Sequence, residues 1–125
     1  MNGKIALLDS NIIIYLSKGV LESAEFEQYE SIAVSIITYM EVLGYRFHSP
    51  GEESIIRKML EMMEIIPISM EIADITIELR KTMKLKLPDA IILATAKKSG
   101  AVLYTANDKD FILFDEIEIV NPLKI

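Results

Sequence analysis

Five carboxylates stand at positions that could share one site: Asp9 in Leu8-Asp9-Ser10-Asn11, Glu41 in Tyr39-Met40-Glu41-Val42, Asp89 in Leu87-Pro88-Asp89-Ala90, and Asp108 and Asp110 in Asn107-Asp108-Lys109-Asp110-Phe111. Each alone has a bland explanation. Asp9 directly follows four apolar residues, so it is either the cap of the next helix or a site residue. Glu41 has Ile37 one turn back and Met40 and Val42 beside it, which calls for a partner unless its carboxylate reaches solvent at the helix edge. Asp89 falls in the first turn of a helix, where the dipole favours an acid whatever the function. Acids are ordinary in a loop such as 107–110. As a group they repel one another unless a cation bridges them. Hard oxygen donors without Cys or His select Mg²⁺, or Mn²⁺ as a substitute, over Zn²⁺. Such an ion polarises a phosphoryl group and lowers the pKa of an attacking water, so the expected chemistry is phosphodiester hydrolysis.

Bringing these acids together requires a scaffold, and the hydropathy pattern supplies one. Short Ile-, Val- and Leu-rich runs at 5–8, 31–34, 65–68, 101–104 and 117–120 read as strands buried on both faces. Between them lie helical patterns at 11–18, 21–29, 35–45, 52–64, 71–83 and 88–99. Ser35 is set as an N-cap, Pro88 falls in a first turn, and Gly100 stands just past a helix end. Alternating strands and helices predict a three-layer α/β/α fold with a central, mostly parallel sheet of four to five strands, in a single domain over 1–125. Asp9, Asp108 and Asp110 then follow strands at the carboxyl edge, where ligands of open α/β sheets bind. The helix carrying Asp89 must descend before the next strand rises, which puts Asp89 at the same edge.

Composition narrows the chemistry further. There is no Cys and one His among 125 residues, which excludes disulfide scaffolds, thiolate metal sites and cysteine nucleophiles. The balance of 19 acidic to 13 basic side chains, net −6, argues against a broad basic face that coats nucleic acid, though not against an enzyme that meets phosphate through a bound cation. No apolar run reaches the length of a membrane span, and the start Met1-Asn2-Gly3-Lys4 leads into too short an apolar stretch for a signal peptide. The expected location is cytoplasmic, with no membrane partner.

At this point the residues resemble the PIN-domain family, specifically the VapC-type toxins of prokaryotic toxin–antitoxin pairs. Leu8-Asp9-Ser10-Asn11-Ile12 is similar to the family's opening motif, and Ser35-Ile36-Ile37-Thr38-Tyr39-Met40-Glu41-Val42-Leu43 to its second. Leu87-Pro88-Asp89-Ala90-Ile91-Ile92-Leu93-Ala94-Thr95-Ala96 is the most specific match. Leu103-Tyr104-Thr105-Ala106-Asn107-Asp108-Lys109-Asp110-Phe111 resembles the closing motif, and Ile119-Val120-Asn121-Pro122 the strand and exit after it. The resemblance implies an Mg²⁺-dependent endoribonuclease acting on single-stranded RNA, a homodimer or higher oligomer, held inactive by a cognate antitoxin protein. Carried over, the family roles make Asp9, Glu41 and Asp89 the acidic triad and the metal ligands. Asp110 or Asp108 is the fourth acid, Ser10 or Asn11 orients the first, and Thr105 and Asn107 support the site. Ala106 departs from the family, which often has Arg there.

Two other classes compete. A phospho-acceptor receiver domain would want adjacent acids after the first strand and Lys-Pro after the fifth; Asp9 stands alone, and no Pro follows Lys124. A catalytically silent interaction module of the same fold has no need for every acidic position to be filled. The methionines (Met59, Met62, Met63, Met70, Met83) read as core or dimer packing, Tyr39 and Tyr45 as packing, and His48 as an exposed loop residue. Lys81, Lys84 and Lys86 read either as a solvated helix end or as a phosphate-steering patch beside Asp89.

Overall fold

The computed structural model describes residues 4–123; Met1-Asn2-Gly3 and Lys124, weighed above for a leader and a receiver-type site, lie outside them. Five strands form one sheet: β1 (Ile5–Leu8), β2 (Ser31–Ser35), β3 (Glu64–Ile66), β4 (Val102–Tyr104) and β5 (Ile119–Val120). Their order is β3-β2-β1-β4-β5, and every neighbouring pair is parallel. Five α-helices connect them: α1 (Ser10–Ser17), α2 (Ile36–Leu43), α3 (Pro50–Glu61), α4 (Met70–Thr82) and α5 (Leu87–Ser99). The three-layer, parallel-sheet architecture expected from the hydropathy pattern is present.

The sheet separates two apolar clusters. One joins Leu8, Ile12, Ile13, Val34, Val42, Ile56 and Leu60 and puts α1, α3 and most of α2 on one face. The other joins Leu7, Ala33, Ile72, Leu79, Leu93, Leu103 and Phe111 and puts α4 and α5 on the opposite face. Leu7 and Leu8 therefore point to opposite layers, as successive strand residues must. Helix α5 is buried along most of its length, from Ala90 to Ala96, which is why its sequence lacks a polar stripe.

Several boundaries differ from the sequence reading. The segment 21–29 forms only a 3-10 turn, Ser23–Phe26, after Gly19 at φ 74°. Strand β3 stops at Ile66 because Pro67 has no N–H for the ladder. Helix α3 begins at Pro50 behind the Ser49 cap and ends at Glu61, and Glu64 joins β3 instead. Strand β5 is shorter than 117–120. The predicted caps hold: the Ser35 hydroxyl accepts from Ile37 N, and Gly100 takes the left-handed conformation at φ 68° after α5. No helix among the described residues is long and apolar enough to cross a membrane.

One buried polar group is left over. The Thr76 and Thr95 hydroxyls donate to the carbonyls one turn back, Ile72 at 2.8 Å and Ile91 at 2.7 Å. Thr38 is fully buried, and its hydroxyl has no hydrogen-bond partner among the described residues. It stands in the first turn of α2, so the residue four back is Val34 in β2 and presents no helical carbonyl. Burying an unpaired hydroxyl costs free energy that an isosteric methyl does not. Thr38→Val is expected to stabilise the fold by about 1 kcal/mol, or about 4 °C in Tm. Thermal and denaturant unfolding of the purified variant check this, and a lower Tm would mean the hydroxyl is satisfied in solution.

Candidate active site

In the observed strand order the chain runs outward from β1 through β2 to β3, then crosses back to β4 on the other side of β1. The crevice beyond the carboxyl ends of β1 and β4 is the switch point at which open α/β sheets bind ligands. Asp9 sits there. Its N–H donates to Tyr104 O at 3.2 Å across the strand pair, and its carbonyl accepts from Ile13 N as α1 starts. Its side chain is the N-cap, accepting from Ile12 N at 3.2 Å. Asp9 is therefore both things the sequence left open: a helix cap and a carboxylate at the ligand edge.

Thr105, fully buried just past β4, supports Asp9 from the other side. Its oxygen accepts from Asn107 N at 3.0 Å, and its hydroxyl also hydrogen-bonds Asp9. A hydroxyl has one proton to give, so with the backbone N–H accepted, that proton goes to the Asp9 carboxylate. Burial pushes the Asp9 carboxyl above its ordinary range. The Thr105 and Ile12 hydrogen bonds oppose this, and the Asp89 and Glu41 charges reinforce it.

The other acids arrive from separate elements. Glu41 is exposed on α2, and the Ser10 hydroxyl donates to its Oε1 at 2.8 Å. The snorkelling and paired readings of Glu41 thus combine, and Ser10 is directed at Glu41 rather than at Asp9. Asn11 is exposed on α1. Asp89, half-buried in the first turn of α5, has its carboxyl raised by burial first and then by the Asp110 and Glu41 charges, with Lys86 acting in the opposite sense. Asp110 accepts from Asn107 Nδ2 at 2.6 Å. Asp108 is turned toward Asn121, whose Nδ2 lies 3.3 Å from both Asp108 Oδ1 and Ala106 O. The Asp110 charge acts on Asp89.

Two partly buried acids with raised carboxyls, Asp9 and Asp89, with the Glu41 charge acting on both and the Asp110 charge on Asp89, offer oxygen donors of the kind a hard divalent cation takes. As the side chains stand, no group of three or more His, Cys, Asp or Glu residues among those described is assembled tightly enough to hold a metal ion.

Two neighbours of the site escape the sequence reading. A cleft of about 380 Å³ runs between α1, α2 and α3 from Ser10 and Glu41 to Tyr45, Phe47, His48 and Ile55. The rings of Tyr45 and Phe47 meet edge-on at 5.7 Å, and Tyr45 is exposed rather than packed in the core. Two aromatics within a polar loop were the available signal. Asn121 carried no signal, because its role depends on β5 lying beside the loop after β4.

The PIN domain family model matches residues 6–117. A toxin–antitoxin complex from Klebsiella pneumoniae contains a chain 39% identical to this one, with a TM-score of 0.77, covering 96% of this chain and 99% of that one. VapBC2 from Rickettsia felis, bound to a DNA fragment from its promoter, is 24% identical with a TM-score of 0.81, covering 94% and 98%. VapBC-1 from nontypeable Haemophilus influenzae is 24% identical with a TM-score of 0.80, covering 96% and 99%; these two likenesses show the fold. No curated protein matches the chain.

Because Asp89 binds its proton more tightly when folded, its ionisation costs stability as the pH rises through the raised range. Asp89→Asn is expected to melt above wild type at pH 7 in chelator, with the difference shrinking as the pH falls through the raised range and gone below the ordinary aspartate range. Identical pH–Tm curves for the two proteins would remove the argument that the acids strain the fold.

Proposed function

The chain belongs to the PIN domain family, and on that premise we propose that it is a divalent-cation-dependent endoribonuclease cutting single-stranded RNA, the toxin of a toxin–antitoxin pair. The observation that carries this reading is the placement of Asp9 and Asp89 at the switch point of a parallel sheet, with Glu41 near enough for its charge to act on both and Asp110 near enough to act on Asp89. Like charges gathered there are unfavourable for the fold by itself and favourable for binding a cation.

In this reading Asp9, Asp89 and Glu41 hold Mg²⁺, with Mn²⁺ as a substitute. When bound, that ion polarises the scissile phosphate and lowers the pKa of the attacking water. The chain's own residues do the rest. Thr105 and the Ile12 N–H hold the Asp9 carboxylate in one orientation and favour its charged form. Ser10 fixes Glu41, whose exposure lets it meet water and accept a proton from it. Asn107 orients Asp110 as the fourth acid. The toxin role is supported by the Klebsiella pneumoniae complex, whose 39% identical chain is matched over almost its full length. A cognate antitoxin partner and a homodimer or higher oligomer belong to the same proposal.

The test is cleavage of an unstructured and a structured RNA with Mg²⁺, with Mn²⁺ and with chelator, with Asp89→Asn purified identically beside wild type. Cutting of the unstructured RNA that needs the metal and falls at least about 100-fold in Asp89→Asn is the expected result. Equal activity in both proteins would identify a contaminant. Inactivity of both, with no rise in wild-type Tm in millimolar Mg²⁺, would favour the silent interaction module.

A further inference from the structure

The segment 80–86, Arg80-Lys81-Thr82-Met83-Lys84-Leu85-Lys86, carries four of the chain's 13 basic residues and no acid. It runs from the last turn of α4 to the N-cap of α5, and it borders an open depression of about 610 Å³. Arg80 and Lys81 end α4, where a cation complements the helix dipole, and Lys81 also lies 3.7 Å from Glu78. Helix stability accounts for those two. It does not account for Lys86, at the start of α5.

Lys84 and Lys86 lie beyond the end of α4, and Lys86 is the N-cap of α5. A cation at that end opposes the dipole, and the Lys86 side chain caps no N–H. Leu85 N donates to Met83 O at 3.0 Å, closing a tight turn centred on Lys84. Leu85 packs on the core cluster under α5, and Lys84 and Lys86 are exposed on either side of it. Among the described residues neither Arg80, Lys84 nor Lys86 forms an ion pair with a carboxylate. Lys86 lies three positions before Asp89, and its charge favours the ionised form of that acid. Two exposed cations without a carboxylate partner, one of them at a helix start that disfavours it and three positions before Asp89, are available to an external anion.

We infer that Lys84 and Lys86, with Arg80 behind them, form the track that holds the phosphodiester backbone of the RNA substrate as it enters the acidic site over the α4–α5 connection. This rests on the proposed nuclease function and names how that site recognises its substrate. An acidic net charge leaves little non-specific attraction for RNA, so a few cations placed beside the site decide where the strand binds.

The experiment uses the full chain carrying Asp9→Asn, which removes cleavage, and measures binding of a fluorescent unstructured RNA by anisotropy across a salt titration. Each phosphate contact adds about 0.7 to the log–log salt slope of single-strand binding. Adding Lys84→Ala and Lys86→Ala is expected to flatten that slope by about 1.4, so a fourfold rise in salt weakens the variant about sevenfold less than its parent. A charge-matched control, Lys58→Ala with Lys98→Ala on α3 and at the far end of α5, is expected to keep the parent's slope. In the cleaving background the Lys84→Ala variant is expected to raise KM and leave kcat unchanged. An unchanged slope in the Lys84/Lys86 variant, with wild type still cutting RNA, would overturn the track and leave the nuclease standing. An equal loss in the control would overturn it in favour of net charge. Failure of the parent to bind RNA, with wild type failing to cut it, would overturn both readings together.

Discussion

The structure depends on keeping one carboxylate, that of Asp9, between two parallel strands and a helix start. Its backbone N–H joins β1 to β4 through Tyr104, its carbonyl opens α1, and its side chain caps that helix. Burial works against its charge, and the Thr105 hydroxyl with the Ile12 N–H partly offsets that cost. The local structure around the switch point is therefore built around an acid that the fold alone would rather have neutral. An asparagine there would cap α1 as well, so capping explains the position and not the charge.

The other acids extend the same tension. Glu41, Asp89 and Asp110 come from α2, α5 and the loop after β4, and each reaches the rim on an element anchored by apolar packing. Asp89 rides on a helix that is buried from Ala90 to Ala96, and Phe111 pins the loop that carries Asp110. Such anchoring keeps like charges near one another despite their repulsion. Strain concentrated at one edge and offset by a well-packed interior is the general pattern of functional sites.

Charge is also sorted along the rim. Acids occupy the crevice between β1 and β4, basic residues line the α4–α5 connection, and a partly aromatic cleft opens between α1, α2 and α3. The cleft shares Ser10 and Glu41 with the acidic group, so whatever occupies it touches the residues that orient the acids. A short chain with a net charge of −6 thus presents three chemically distinct surfaces within reach of one another.

Much of this was legible in the order of residues. Strands buried on both faces read as unbroken apolar runs, so β1, β2 and β4 and the parallel α/β class follow from local pattern, as do the Ser35 cap and the Gly100 stop. The four motifs named Asp9, Glu41, Asp89 and the loop acids as candidates, and the chain's membership of the family followed from them. Other features depended on contacts between distant segments. That Ser10 serves Glu41, that Asn121 holds Asp108, and that Tyr45 and Phe47 line a cleft with Ser10 all require elements far apart in sequence to lie side by side. Pattern along the chain determines which residues are buried and which elements form, because both depend on near neighbours. Which side chain meets which across the sheet edge is decided only when the strands take the order β3-β2-β1-β4-β5, since hydrogen bonds and charge coupling act over a few ångströms of space whatever the separation in sequence.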